Sequence, residues 1–313
     1  MTIQVLNPGL QTTIQAAPRA GMRHLGVPTS GAADPLSMAL ANKLVGNDLL
    51  APALEVTLTG MSFRADVNTQ IAITGASAAC TVNGKPAQQH LTLQLASGDE
   101  VHIGPAEKGA RSYVAFAGGL RADETLGSQS TYLPAGFAGF KGRPLQKGDQ
   151  LDLGKPSKIV ELLQTPAEYR PPILDSWTIR AGHSSETKLL SDADRLFATK
   201  FTIGNRSDRM GLRLEGTKFD IRSDGRMPSA PVFPGTIQCP EDGELFVLSV
   251  DAGTTGGYPR VAKIARLDLH MLGQLRPGNQ LMLIEREQSD AEVELREKHT
   301  YWNAWLPGIE RII

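Results

Sequence analysis

The chain has 313 residues, with 32 Lys plus Arg against 33 Asp plus Glu and a formal net charge of -1. No basic surplus exists to neutralise a phosphate backbone, which excludes nucleic acid as the main partner. The hydrophobic fraction is 41%, ordinary for a globular chain, and the length suits two domains of roughly 100–200 residues.

Gly (32) and Pro (20) are in excess, which favours many short strands and turns over long helices. The two cysteines, Cys80 and Cys239, have no C-x-x-C spacing and read as reduced thiols. The first residues lack a basic region followed by a secretory apolar stretch, and no apolar run reaches the length of about 18 residues that spans a bilayer. The expectation is a soluble, cytoplasmic protein with no membrane contact.

In chain order, the first feature is Gly26-Val-Pro-Thr-Ser-Gly-Ala-Ala-Asp34. Asp34 can cap a helix and Pro35 suits its first position, predicting a helix over 35–45 with Leu36, Leu40 and Leu44 on one face. The same segment offers the Thr29 and Ser30 hydroxyls, a flexible Gly31 and a helix start with unpaired N–H donors. It reads either as a strand-to-helix turn or as a cradle for a carboxylate.

Residues 70–74 and 79–82 alternate as strands, the second running into the hairpin dipeptide Asn83-Gly84. Leu91, Leu93 and Leu95 share a strand face, and 111–117 reads as a largely buried strand. A weak repeat recurs at Ser97–Gly104, Lys147–Gly154 and Pro277–Ile284: Gly then Asp or Asn at a turn, followed by alternation. It predicts a tight turn feeding a strand that completes or closes a sheet.

The segment 127–143 carries Ser128, Gln129, Ser130 and Thr131 beside Tyr132, Phe137 and Phe140, which predicts a loop folded over itself with a site or structural role. The Pro-rich stretch 165–172 divides the chain into domains 1–165 and 166–313.

Beyond it, 176–180, 200–203, 212–214 and 245–250 read as further strands, which suggests barrels or sandwiches. Within 205–216, Arg206, Arg209 and Arg213 could grip a carboxylate. Asp208 and Glu215 are near enough in sequence to pair with two of them, leaving Arg209 as the ligand candidate.

Asp251-Ala-Gly-Thr-Thr-Gly-Gly-Tyr-Pro259 places a carboxylate, two hydroxyls, glycines and a phenol at a strand end. Asp251 there could be a base or anchor an amide N–H; the plainer alternative is a glycine hairpin with Tyr258 in the core. A last helix starts at Ser289, where Ser289 and Glu292 have capping-box spacing. Tyr301, Trp302 and Trp305 suggest a tail docked on its own domain. No P-loop, paired metal-ligand spacing or Ala-Met-Lys-Met biotin site occurs, so no metal and no covalent biotin are expected on this chain.

Ordered segments resemble the carboxyltransferase subdomain A/B family: Gly9–Gln15, Leu25–Gly31, Ala41–Asn47, Leu54-Glu-Val56, Gly118-Gly119, Leu126–Ser128, Ser130–Leu133, Asp208–Gly211, Arg213–Gly216, Pro234–Gln238, Thr254–Pro259 and Gln274–Gly278. The resemblance covers nearly the whole chain. It implies a mainly β fold of two linked cyclophilin-like β-barrel domains with a few short helices.

Stand-alone members resemble the C subunit of 5-oxoprolinase, an enzyme that opens 5-oxo-L-proline to L-glutamate with ATP shared among its A, B and C subunits. Other relatives antagonise a subunit-B-like kinase inhibitor, or transfer a carboxyl group from carboxybiotin to urea or a similar amide.

For the residues, the resemblance implies Asp251 and Asp34 as catalytic, with the helix start stabilising negative charge and Arg209 holding a carboxylate. Ser30, Ser128, Ser130, Thr131, Gln238, Thr254, Thr255, Gly256, Gly257 and Tyr258 complete the substrate set. A small amide would be held between the barrels, with 30, 130, 209 and 255 walling one cavity. The chain departs from the family pattern at Ala16, Pro18, Gln129 and Gly253.

Overall fold

The computed structural model describes residues 1–156, 161–222 and 227–313. The chain forms two compact units. One comprises Met1–Ala20, Ser30–Ile173 and Trp302–Ile312; the other comprises Gly21–Thr29, Leu174–Tyr301 and Ile313.

The first unit holds β1 (Thr2–Asn7), β2 (Gln11–Gln15), helix α1 (Pro35–Leu44), β3 (Ala53–Thr57), β4 (Met61–Ala65), β5 (Thr69–Val82), β6 (Lys85–Ala87), β7 (Thr92–Leu95), β8 (Glu100–Phe116) and β9 (Gln150–Asp152). They make a nine-stranded sheet in the order β2-β3-β8-β4-β1-β9, with β5 pairing β6, β7 and β8. This sheet curls as a half-barrel rather than closing. The Asn83-Gly84 hairpin forms as expected, both residues having the positive φ (50° and 74°) that a two-residue turn needs.

Strand β8 explains why 111–117 reads as apolar throughout, because both its faces are covered. Val114 and Phe116 join the main core with Leu54, Val56, Phe63 and Ile73. Tyr113, Ala115 and Ala117 point the other way, where they meet Met38, Ala41 and Leu44 of α1. Period-two alternation therefore places Arg111 and Tyr113 of β8, and Glu55 of β3, on the helix-facing side.

The second unit holds β10 (Ser176–His183), the short α2 (Arg195–Ala198), β11 (Lys200–Ile203), β12 (Gly211–Glu215), β13 (Ala230–Pro231), β14 (Thr236–Gln238), β15 (Leu245–Leu248), β16 (Thr255–Gly256), β17 (Arg260–Ile264), β18 (Gln280–Glu285) and α3 (Gln288–Asn303). Seven strands form a closed barrel, β10-β17-β14-β15-β12-β11-β18, while β13 and β16 make a separate two-stranded ribbon. Closure comes from parallel pairing of β10 with β18.

The weak sequence repeat is a structural repeat. Gly98, Gly148 and Gly278 have φ of 94°, 90° and 87°. The following Asp99, Asp149 or Asn279 donates its N–H to the carbonyl three residues back, at 3.1, 3.1 and 3.0 Å. Its side-chain oxygen accepts the N–H of that same residue, at 2.8, 2.7 and 3.2 Å. This is a type II turn locked by an acidic or amide side chain. Each copy then pairs with a neighbouring segment through Ala65, Val5 or Ile203.

Helix α1 starts as read, with Asp34 accepting the Ser37 N–H at 3.0 Å and Pro35 in the first turn. Helix α3 does not use the expected capping box. It begins at Gln288, so Ser289 lies inside it, and the Gln288 amide donates to Glu292 instead. The aromatic tail packs on the first unit: Trp302 and Trp305 lie 5.6 and 6.3 Å from the Tyr169 ring, and Lys43 sits over Trp305. No helix among the described residues is long and apolar enough to cross a membrane.

Gly60 (φ 72°) is pressed against β8, where a Cβ would lie 2.1 Å from the Ile103 carbonyl oxygen, whereas a Cβ on Gly278 would meet nothing within 4 Å. Gly60→Ala is expected to cost about 2–5 kcal/mol, from left-handed strain plus overlap, and Gly278→Ala only about 1–2 kcal/mol. Urea unfolding of the two variants measures the difference.

Candidate functional site

The turn before α1 is tied to a buried polar cluster. Glu55, 1% exposed, accepts the Ala33 N–H and the Tyr113 hydroxyl on one carboxylate oxygen, each at 2.8 Å. Its other oxygen lies 3.5 Å from the Arg111 guanidinium. Tyr113 accepts the Asp34 N–H at 2.8 Å. Burial, helped by the Glu55 charge, holds the Tyr113 phenol well above its ordinary pKa, so it stays a proton donor.

Asp34 spends both carboxylate oxygens on Ser37, one on its N–H and one on its hydroxyl. The N–H groups of Ala33, Asp34 and Ser37 are therefore engaged, and two carboxylates face the start of the helix. At these three positions the donors expected at the helix start are hydrogen-bonded within the chain. Ser30 lies just upstream, 3% exposed, with φ 51° and a hydroxyl that has no hydrogen-bond partner among the described residues.

The 127–143 loop is folded over itself, Tyr132 and Phe137 exchanging backbone hydrogen bonds with their rings 5.4 Å apart. Its polar side chains are stitches. Ser128 donates to the Ala17 carbonyl at 2.6 Å, Ser130 bonds both the N–H and carbonyl of Ala16, and Thr131 donates to Ile14 at 2.9 Å. Arg19, fully buried, donates to the carbonyls of Thr125 and Ser130 and lies over the Phe137 ring. Pro18, in the same short segment, would be 3.3 Å from a Cβ on Gly31. Segments 16–19, 30–34 and 128–131 thus form one assembly within the first unit.

In the second unit Arg209 and Asp251 meet each other. The guanidinium donates to both carboxylate oxygens, at 2.6 and 3.1 Å, with the residues 6% and 2% exposed. The Asp251 N–H also donates to the Arg209 carbonyl. The two residues read from the sequence as a base and a carboxylate grip form one bidentate buried ion pair. Arg213 pairs with Glu244 rather than with Asp208 or Glu215, and Asp208 accepts the N–H groups of Met210 and Gly211.

Thr255 and Gly256 form the ribbon with β13, and Val232 donates to the Thr254 carbonyl. Gln238 lies beneath this ribbon, its amide donating to the Tyr258 carbonyl and filling the space a side chain on Gly256 would need. Gly257 is close to Met227 and Ser229. Tyr258 is 49% exposed, so it is not the core residue of the hairpin alternative. Downstream, Glu186 accepts the N–H and guanidinium of Arg260, at 2.6 and 2.9 Å, and closes the loop's far end.

The expected site residues thus divide between the units: Ser30, Asp34, Ser128, Ser130 and Thr131 in the first, and Arg209, Gln238, Asp251 and 254–258 in the second. Sequence reading missed Glu55, Arg111, Tyr113, Glu186 and Arg260. The available signal was charged residues inside apolar strands, at Leu54-Glu-Val56 and Arg111-Ser-Tyr113. Cys80 and Cys239 are buried free thiols pushed up to about 11 by burial, which leaves them protonated.

Residues 25–285 match the family described as carboxyltransferase domain, subdomain A and B. The chain belongs to this family. It is 32% identical to the C subunit of 5-oxoprolinase from Escherichia coli (strain K12), the match covering 97% of this chain and 98% of that protein. It is also 34% identical to urea amidolyase of Lachancea kluyveri, over 94% of this chain but only 18% of that protein. The crystal structure of the K. lactis urea amidolyase superposes with a TM-score of 0.89 at 28% identity, over 95% of this chain and 20% of that one. The carboxyltransferase family thus includes both a protein of this chain's extent and a small part of much longer proteins.

Two outcomes follow from the ion pairs. Asp251→Asn or Arg209→Met alone is expected to cost about 3–5 kcal/mol, since each breaks a buried bidentate ion pair, and the double variant less than the sum. Thermal or urea unfolding across the four proteins measures the coupling. Hydrogen bonding from Arg260 holds the Glu186 carboxyl below its ordinary range. Its stabilisation is then present above the unfolded value, about 4.3, and lost as pH falls through the folded one. Unfolding curves below about pH 4.5 are expected to be flatter for Glu186→Gln than for wild type.

Proposed function

We propose that this chain acts as the C subunit of an ATP-dependent 5-oxoprolinase, opening 5-oxo-L-proline to L-glutamate with an A-type and a B-type subunit. The observation that carries the reading is coverage. The match to the E. coli 5-oxoprolinase chain takes in 98% of that protein, whereas the urea amidolyase match takes in 18%. In this reading ATP is shared with the partner subunits, and this chain contributes binding surface around Ser30 and the 254–258 loop. Asp34, Arg209 and Asp251 shape those surfaces.

One observation favours a second reading. Asp34, Arg209 and Asp251 each satisfy another group of this chain, as they would in a non-catalytic chain that binds a subunit-B-like regulator.

The test is to co-produce the chain with the proteins encoded beside its gene and to measure glutamate released from 5-oxo-L-proline. Release that needs ATP and all three chains is expected. A stable complex with the B-type protein and no release supports the binding-protein reading. Urea-dependent consumption of carboxybiotin would assign the chain to carboxyl transfer.

A further inference from the structure

Phe233 presents an aromatic ring at the surface on a fixed backbone. Residues 233–236 make a type II turn with Pro234 and Gly235 (φ 85°) at its centre. The Thr236 N–H donates to the Phe233 carbonyl at 3.0 Å, and the Phe233 N–H to the Thr236 hydroxyl at 3.3 Å. A Cβ on Gly235 would lie 2.4 Å from the Leu269 side chain, so the turn sits tightly on that residue. The ring itself is 47% exposed.

Two cations meet that ring. The Arg23 guanidinium lies 4.9 Å from its centroid and the Lys263 ammonium 5.3 Å. Arg23 is anchored by donating from Nη2 to the Val232 carbonyl, and Lys263 stands on β17 opposite Thr236 of the same turn. All three residues belong to the second unit. Arg64, Arg143, Arg213, Arg260 and Arg311 each pair with a carboxylate. Neither Arg23 nor Lys263 has such a partner among the described residues. Nη1 of Arg23 is buried with no acceptor among them, and burial lowers the guanidinium pKa with no carboxylate to offset it.

The surroundings do not supply the missing charge. Lys263 lines a cavity of about 730 Å³ formed with the ends of β10 and β18 and with α3. Its carboxylates are Glu285, Glu287 and Glu292, which Arg266, Arg286 and Arg296 match one for one before Lys263 is counted. Glu285 is held by His183 at 2.9 Å, and Glu292 accepts the Gln288 amide. An anion from solution would supply the charge. Because both cations lie within 5.3 Å of one centroid, they are at most about 10 Å apart. One oxyanion bridges that gap with a hydrogen bond of about 2.8 Å at each end. A carboxylate brings a single charge, whereas a phosphate brings nearly two and three acceptor oxygens, which matches two cations.

We propose that Arg23 and Lys263, set around the Phe233 ring, bind a phosphate group. Free phosphate and the phosphates of a nucleotide offer the same oxygens, and the cavity beside Lys263 has room for the body of the second. None of the three residues falls in the segments that carry the family resemblance, and the inference does not depend on the 5-oxoprolinase reading. The experiment titrates inorganic phosphate, ATP and acetate into the full chain by calorimetry at low ionic strength, alongside melting temperature. Wild type is expected to bind at least one of the two phosphate ligands saturably and acetate at least about tenfold more weakly. Arg23→Gln and Lys263→Gln are each expected to weaken phosphate binding about tenfold, the loss of one charge-assisted contact. Saturating ligand should raise the melting temperature of wild type but not of the double variant. Lys263 is exposed, so Lys263→Gln tests the site even if Arg23→Gln does not fold.

Lys200→Gln removes an exposed cation from β11 of the same barrel and should leave binding unchanged. Binding of ATP well above that of inorganic phosphate identifies a nucleotide as the source of the phosphate; comparable binding identifies the free anion. The inference is overturned by any of four results: no saturable binding of either phosphate ligand to wild type, unchanged binding in Lys263→Gln, an equal loss in Lys200→Gln, or acetate bound as tightly as phosphate.

Discussion

Removing a carboxylate from water costs several kcal/mol unless every lone pair finds a donor, and Glu55 meets that constraint by organising what surrounds it. One oxygen takes the Ala33 N–H and the Tyr113 hydroxyl; the other faces Arg111. The turn before α1 cannot move without uncovering this charge, so its unusual backbone, left-handed at Ser30 and Gly31, is held from below. Tyr113 extends the arrangement to Asp34, which caps the helix. A buried charge on β3 thereby determines where α1 begins and which groups around it remain open.

The second unit uses the same principle with an ion pair. Arg209 and Asp251 come from separate loops, and their bidentate contact joins the chain after β11 to the chain after β15. Such a pair contributes less to net stability than its geometry suggests, because desolvating both charges offsets much of the attraction. Its larger consequence is specificity of arrangement: either charge alone is costly, so the two loops are held together. Glu186 and Arg260 act similarly at the other end of the 254–258 segment. The exposed ring of Tyr258 and the ribbon under it are thus carried on a rigid base.

The thrice-used turn connects sequence to architecture most directly. A glycine in the left-handed region followed by Asp or Asn makes one compact set of hydrogen bonds wherever it occurs. In the copy at 97–104 it begins the long β8; at 147–154 it begins β9, which pairs β1 at the end of the open sheet; at 277–284 it begins β18, which closes the barrel. The turn is local, but its outcome depends on which edge lies in reach. That accounts for one repeat serving both an open, curled sheet and a closed barrel.

Elements governed by contacts near in sequence were legible without coordinates. The Asp34–Pro35 helix start, the Asn83-Gly84 hairpin, the alternating strands and the repeated turns all follow from backbone preferences within a few residues. The ordered family segments were legible as well, and the match over residues 25–285 takes in all of them after Gly9–Gln15. Partnership between distant side chains was not legible. Glu55 meets Tyr113 across 58 positions and Arg209 meets Asp251 across 42, separations at which composition and spacing carry no register. The sequence offered Arg209 and Asp251 as separate candidates, and only the fold shows that they meet each other. Whether a polar group is spent internally or left open depends on which other groups the folded backbone brings within about 3 Å.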